Sequence, residues 1–204
     1  MNSEDVATFE RCIAVGGVAL FPTDTVYGLA TEPESKEGVQ RLYRLKGRRP
    51  DKPAAVMFFN RDLALAALPD LPGPTVAAAE RLLPGPVTLL LPNPTRRFPL
   101  ACGPTPDVLG LRVPDCEGEL ANVKWPVLQS SANVSDGPEA RRIDEVDAAV
   151  RARVDMILDG GELPGTPSTV LDLTRYHEDG SYNVIRLGAM SQAQVRQRLG
   201  EQVP

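Results

Sequence analysis

The sequence predicts a single α/β domain, a twisted, mixed, open sheet with flanking helices. Three observations predict it. Short apolar runs of strand length mix with stretches of helical period, without strict alternation. The 20 prolines fall mostly between those stretches, so long loops decorate one sheet. A chain of 204 residues is long enough for one well-buried core and too short for two.

Val6, Phe9 and Ile13 share one stripe, which predicts a first amphipathic helix from Asp5 to about Val15, ended by Gly16-Gly17. Val18 to Phe21 follows as a short apolar strand running into Pro22. Val39, Leu42, Tyr43 and Leu45 predict a helix over Glu34–Leu45, with Arg41 and Arg44 favourably near its C-terminal end. Ala54–Phe59 reads as a buried strand, and Asn60 as the cap of a helix reaching about Leu68. After the Pro-rich loop Leu68–Pro74 come a helix over Val76–Leu83, a strand over Val87–Leu91 and an irregular stretch from Pro92 to Pro106. Further strands are predicted at Val108–Arg112, Val127–Gln129, Met156–Leu158, Val170–Leu173 and Val184–Arg186, with helices over Asp144–Arg153 and Ser191–Leu199. Open α/β sheets bind ligands beyond strand ends, so a shared crevice is expected there.

Composition excludes several classes. A net charge of −5 argues against a chain that attracts nucleic acid as a whole. Arg41, Arg44, Lys46, Arg48, Arg49 and Lys52 nevertheless crowd into a dozen positions, as a solvated helix end or a local anion patch. Cys12, Cys102 and Cys116 lack Cys-x-x-Cys spacing, and one histidine, His177, leaves no zinc set and no Ser-His-Asp or Cys-His set. No disulfide framework is expected, and His177 is placed in a polar loop without a role. The acidic start Met-Asn-Ser-Glu-Asp is unlike a signal peptide, and no apolar stretch approaches the roughly 18 residues of a membrane span. A soluble, cytoplasmic chain is the expectation, with no membrane partner.

Three motifs carry chemistry. Thr23-Asp24-Thr25 follows Phe21-Pro22; on an extended chain the two hydroxyls would face one way, and in a turn they would bond local backbone. Lys46-Gly47-Arg48 brings a point charge and a guanidinium fork to one loop, with Lys52 close behind, as a clamp for a polyanion. Ser130-Ser131-Ala132-Asn133 ends a strand with small donors and an amide. Ser168, Arg112 and Arg186 also stand at strand ends. No Gly-x-Gly-x-x-Gly and no Gly-x-x-x-x-Gly-Lys-Ser/Thr is present, so any nucleotide would bind without the usual phosphate loop. Catalysis is expected to rest on positioning and charge stabilisation.

Phe-Pro-Thr-Asp-Thr-Val-Tyr-Gly-Leu, Lys-Gly-Arg, Leu-Pro-Gly-Pro-Val-Thr-Leu, Leu-Arg-Val-Pro, Ser-Ala-Asn, Pro-Ser-Thr-Val-Leu-Asp and Ile-Arg-Leu-Gly occur in that order between Phe21 and Gly188. The series resembles the YrdC/Sua5 (TsaC) family, the L-threonylcarbamoyladenylate synthases, in their single-domain form. The resemblance implies one YrdC-like domain over 1–204, matched over about 9–188 and followed by a short helix. It implies a nucleotidyltransferase that makes threonylcarbamoyl-AMP and pyrophosphate from L-threonine, bicarbonate and Mg2+-ATP, with no tightly bound protein metal. A partner threonylcarbamoyltransferase complex would then modify adenosine 37 of tRNA, and a basic concave face would offer tRNA a contact.

By the same resemblance Lys46 and Arg48 are catalytic. Arg48, Lys52, Ser131, Asn133, Arg141 and Arg186 would bind ATP. Thr23, Thr25, Met57, Arg112 and Ser168 would bind threonine, Arg112 through its carboxylate. The sequence departs from the family pattern at Met57 and Cys116, where histidines are common, at Leu187, where proline is, and at Ser135-Asp136-Gly137, which adds a carboxylate. Met57 bears on the identity of the amino acid. The alternatives are a relative that makes a carbamoyl-adenylate from another donor, which Thr23-Asp24-Thr25 argues against, and a non-catalytic RNA-binding protein, which the acidic charge and few aromatics disfavour.

Overall fold

Two unequal cores form on opposite faces of one sheet, and their inequality positions the site. A computed structural model of the chain describes residues 1–116, 118–135 and 137–200. The strands are β1 (Ala19–Pro22), β2 (Tyr27–Thr31), β3 (Ala55–Met57), β4 (Val87–Pro92), β5 (Val108–Arg112), β6 (Val127–Ser131), β7 (Met156–Ile157), β8 (Thr169–Asp172) and β9 (Asn183–Arg186). They pair in the order β7-β1-β2-β6-β3-β5-β4-β8-β9. Pairs β1–β7, β3–β5 and β4–β8 are parallel and the others antiparallel, so the sheet is mixed, as expected.

The large core lies on the face of Leu20, Leu29, Val56, Leu89, Leu111, Leu128 and Leu171. Helices α2 (Lys36–Leu45), α3 (Arg61–Ala66), α4 (Gly73–Leu82), α5 (Pro99–Cys102) and α8 (Gln192–Leu199) cover it, through side chains such as Leu42, Ala64, Leu82, Ala101 and Val195. On the opposite face, α1 (Ser3–Ala14) lays Val6, Phe9 and Ile13 over Phe21, Ala30, Met57 and Val127. Phe9, Phe21 and Phe59 form a ring cluster there, with centroids 5.4 to 6.2 Å apart. The remainder of this face, from β3 to β9, stays open. Strand β4 records it in its burial: Val87, Leu89 and Leu91 are buried while Thr88, Leu90 and Pro92 are half-exposed, the alternation of a sheet covered on one side.

The local signals hold where they are strong. Asn2 caps α1 in a reciprocal capping box with Asp5, and Asn60 accepts the N–H groups of Asp62 and Leu63 at 2.8 and 3.1 Å. Strand β2 was not expected, because Tyr27–Thr31 is buried throughout and has no alternation to read. The irregular stretch 92–106 contains α5, and His177 sits in α7 (Tyr176–Asp179) rather than in a loop. The helix expected over Asp144–Arg153 is divided into a 3-10 turn at Ile143–Glu145 and α6 (Ala148–Arg151), because Asp147 caps the second piece, accepting the Ala149 N–H at 2.7 Å.

Candidate active-site cleft

The open face forms a cleft of about 300 Å³ lined by Arg48, Gly110, Arg112, Gln129, Ser131, Glu139, Ser168 and Arg186 among others. It lies on the sheet, not beyond the strand ends as the sequence suggested. The reason is that α1 covers only the β1–β2–β6–β3 part of this face. Alternate residues of β3, β4, β5 and β6 therefore form the floor.

At one corner Arg112, 3% exposed at the end of β5, donates from Nη2 to Asp24 Oδ1 and Thr25 Oγ1, both at 2.6 Å, and to Thr23 Oγ1 at 3.2 Å. The Thr23 hydroxyl also donates to the Val26 carbonyl at 2.7 Å and accepts the N–H groups of Thr25 and Val26. Both readings of Thr-Asp-Thr thus hold: the segment is a local turn, and the turn aims two hydroxyls, 3.0 Å apart, at one cation. Asp24, to which the sequence reading gave no role, supplies the buried countercharge, and its Oδ2 accepts the Asp115 N–H at 3.1 Å. Arg112 Nε is buried without a partner. Cys116 lies near this pair, its thiol pushed up to about 12 by burial and by Asp24.

Lys46-Gly47-Arg48 lies toward the other end. Gly47 has a φ of +58°, a left-handed turn that glycine adopts freely, and the flanking cations part there. Lys46 turns inward and is 1% exposed. Its ammonium donates to the Ser131 carbonyl, to the Asn133 carbonyl at 2.6 Å and to Asn133 Oδ1 at 3.4 Å, matching the three donors it has. Burial first, and then the neighbouring Arg48 and Lys52, lower its pKa to about 8, against the pull of Glu139. Arg48 stays half-exposed over the Tyr43 ring, 5.7 Å from its centroid, and donates from Nη2 to the Pro53 carbonyl. Arg48 Nε has no partner. Lys52 is exposed beside this loop, its carbonyl accepting the Tyr43 hydroxyl at 2.9 Å.

Ser131 donates to Asn133 Oδ1 at 2.5 Å, and Asn133 Nδ2 to the Gly137 carbonyl at 2.6 Å, so Lys46, Ser131 and Asn133 form one closed network. Opposite, the Ser168 and Thr88 hydroxyls pair at 2.9 Å, and Arg186 Nη2 donates to the Ser168 carbonyl at 2.7 Å. Gly188 permits this approach, since a Cβ there would lie 2.2 Å from the Pro167 carbonyl.

The cleft therefore gathers Arg48, Ser131, Arg112, Ser168 and Arg186 directly, with Thr23, Thr25, Lys46 and Asn133 bonded to its lining. Three expected residues lie apart, Lys52 being exposed beside the Arg48 loop and outside the lining. Met57 is fully buried in the small core, in register with Arg112 but beneath α1. Arg141 is exposed and pairs with Glu162 at 2.6 Å, its side chain lying against Gly165. Asp136 lies outside the described residues. Gln129 and Glu139 line the cleft without any local sequence signal, and Thr88, though within the Leu-Pro-Gly-Pro-Val-Thr-Leu motif, is given a place in the site only by strand register. Glu139 is the one carboxylate among the described lining residues, against three arginines, so the cleft is cationic on an acidic protein. Among the described residues no three His, Cys, Asp or Glu side chains group as a metal site.

Known proteins resemble this chain in sequence and in fold. The threonylcarbamoyl-AMP synthase of Pyrococcus abyssi is 29% identical over 93% of the chain, which spans 55% of that protein's length. That of Pseudomonas fluorescens Pf0-1 is 32% identical over 85% of this chain and 95% of its own. The crystal structure of P. abyssi Sua5 complexed with L-threonine superposes with a TM-score of 0.84 at 27% identity, over 98% of this chain and 59% of that one. The family model Sua5_yciO_yrdC, described as telomere recombination, matches residues 11–188, from within α1 through β9 and every cleft residue described above. With that span, and with a relative 32% identical to it over 85% of its length, the chain belongs to the Sua5/YciO/YrdC family.

Proposed function

We propose that the chain is an L-threonylcarbamoyladenylate synthase, which condenses L-threonine, bicarbonate and ATP into threonylcarbamoyl-AMP and pyrophosphate. The observation that carries this reading is one cleft with two differently built cationic places. Arg112 is buried, rigid and ringed by hydroxyls, suited to a small zwitterion; Arg48 is half-exposed with Lys52 nearby, suited to a polyphosphate. Relatives named threonylcarbamoyl-AMP synthase and a P. abyssi Sua5 structure containing L-threonine support it.

In this reading the threonine carboxylate meets the free edge of Arg112, with Thr23, Thr25 and Ser168 fixing the remaining polar groups. The neutral amine attacks CO2 derived from bicarbonate and loses a proton, giving a carbamate. A carbamate oxygen then attacks the α-phosphorus, and the bond to pyrophosphate breaks. Arg48 and Lys52 neutralise the charge that gathers on the phosphates. Ser131, Asn133 and Arg186 hold the adenylate. Lys46, whose three donors are engaged, acts by fixing Ser131 and Asn133 rather than by reaching phosphate itself. Mg2+ would enter with ATP, held mainly by phosphate oxygens, and would supply charge neutralisation there. Glu139, with one buried carboxylate oxygen lacking a partner, is the cleft residue whose chemistry fits such a cation.

The product would serve a threonylcarbamoyltransferase complex acting on position 37 of tRNA, in the cytoplasm; among the described residues no helix is long and apolar enough to cross a membrane. Pyrophosphate release tests the reading. We expect release that needs bicarbonate and L-threonine together. Release with carbamoyl phosphate or another amino acid instead would reassign the substrate, and none with any donor would point to a binding role.

A further inference from the structure

Glu139 stands out in the cleft. Its Oε2 is buried and makes no hydrogen bond. The loop that carries it is fixed at both ends: the Gly137 carbonyl accepts Asn133 Nδ2 at 2.6 Å, and the Ala140 carbonyl accepts the Tyr27 N–H at 2.9 Å. A carboxylate oxygen held out of water without a donor is costly, and a bound ligand that satisfies it is favoured accordingly. Neither nearby protein cation donates to it, although Arg48 Nε keeps no partner of its own. The Lys46 ammonium has three oxygen acceptors, and Arg48 Nη2 is on the Pro53 carbonyl. The Ser135 hydroxyl is likewise buried without a partner, and its backbone N–H is fixed on the Lys46 carbonyl at 2.9 Å. The one carboxylate among the described residues lining the cleft, facing a place suited to polyphosphate, matches how Mg2+ is usually taken: one or two carboxylates, substrate phosphates and retained waters, with no protein cage.

We propose that Glu139 is the protein's own carboxylate ligand to the divalent cation that enters with a nucleoside triphosphate. This rests on the reading of the cleft as a nucleotide site. It makes Glu139 a cation-binding residue and not merely a countercharge for Lys46. A countercharge would leave metal affinity unchanged when neutralised. A ligand would not, and its loss would leave nucleotide affinity without metal equal or greater, because one negative charge near the phosphates is gone.

The test uses the full chain with a non-hydrolysable ATP analogue and Mn2+, read by electron paramagnetic resonance of free and bound ion. We expect Glu139→Gln to weaken Mn2+ binding to the protein–nucleotide complex at least tenfold, and Glu139→Asp to weaken it less. In EDTA, both variants should bind the analogue at least as well as the unaltered protein, which also reports that they are folded. Unchanged Mn2+ affinity in Glu139→Gln would overturn the assignment while leaving the nucleotide site standing. Failure of the unaltered protein to bind the analogue, with or without Mn2+, would remove the nucleotide reading and this inference together.

Discussion

Lys46 and Asn133 are tied twice: the ammonium of one meets the backbone carbonyl of the other at 2.6 Å and its side-chain oxygen at 3.4 Å. Together with the bond to the Ser131 carbonyl, this makes Lys46 the pin of the loop after β6. Lys46→Met should therefore lower stability by about 1–3 kcal/mol, because several buried oxygens lose their donor while relief of the buried charge returns part of the loss. Urea unfolding measures it. An unchanged midpoint with lost activity would mean that Lys46 serves a ligand directly.

The same burial gives a pH signature. With the Lys46 pKa lowered to about 8 in the folded chain, both states are protonated below that value. Between there and the ordinary lysine value near 10.4 the unfolded chain holds a proton that the native chain has released. Stability contributed by Lys46 therefore rises with pH through that window, by about 3 kcal/mol in all. Unfolding of the unaltered chain and of Lys46→Met should diverge between pH 7.5 and 9.5, in favour of the unaltered chain. A constant gap would show that Lys46 titrates normally.

How much of this was legible follows from which signals are local. Helix α1 shows its Val6, Phe9, Ile13 stripe, and β5 coincides with the apolar run Val108–Arg112. Residues at motif ends, such as Arg48, Ser131, Arg112, Ser168 and Arg186, do meet in the cleft. Met57 and Ala55 share one sheet face, yet α1 covers the first and leaves the second in the cleft, a division set by tertiary packing alone. Gln129 and Glu139 escape for the same reason, each ordinary in its own segment, and Thr88, although inside a motif, becomes part of a site only through strand register.

Asp24 and Arg112 form a buried pair at 2.6 Å, with side-chain exposures of 7% and 4%. Asp24→Ala leaves that guanidinium uncompensated and should cost about 3–5 kcal/mol. Replacing both, as Asp24→Ala with Arg112→Leu, should cost less than the single change predicts. Additive losses in urea unfolding would show that the two residues do not interact.

Thr88 offers a subtler test. Its hydroxyl meets Ser168 at 2.9 Å, so Thr88→Val removes the partner while keeping the shape. A bond of about 1 kcal/mol corresponds to roughly a fivefold change. We expect that rise in the KM for L-threonine, with kcat and the KM for ATP nearly constant. A rise confined to ATP would move Ser168 to the nucleotide side of the cleft.

Arg48 separates ligand chemistry from folding most sharply. Its guanidinium is half-exposed, rests on the Tyr43 ring and keeps an unpartnered Nε in the cleft. Arg48→Ala gives up one carbonyl bond and a ring contact, so stability should change by about 1 kcal/mol or less. Loss of a charge-stabilising donor should lower pyrophosphate release by about 10²–10³-fold. Arg48→Lys should recover only part of this, since an ammonium cannot reproduce the fork. Turnover near that of the unaltered chain in Arg48→Ala would remove this residue from the phosphate clamp and leave Lys52 as the cation to test next.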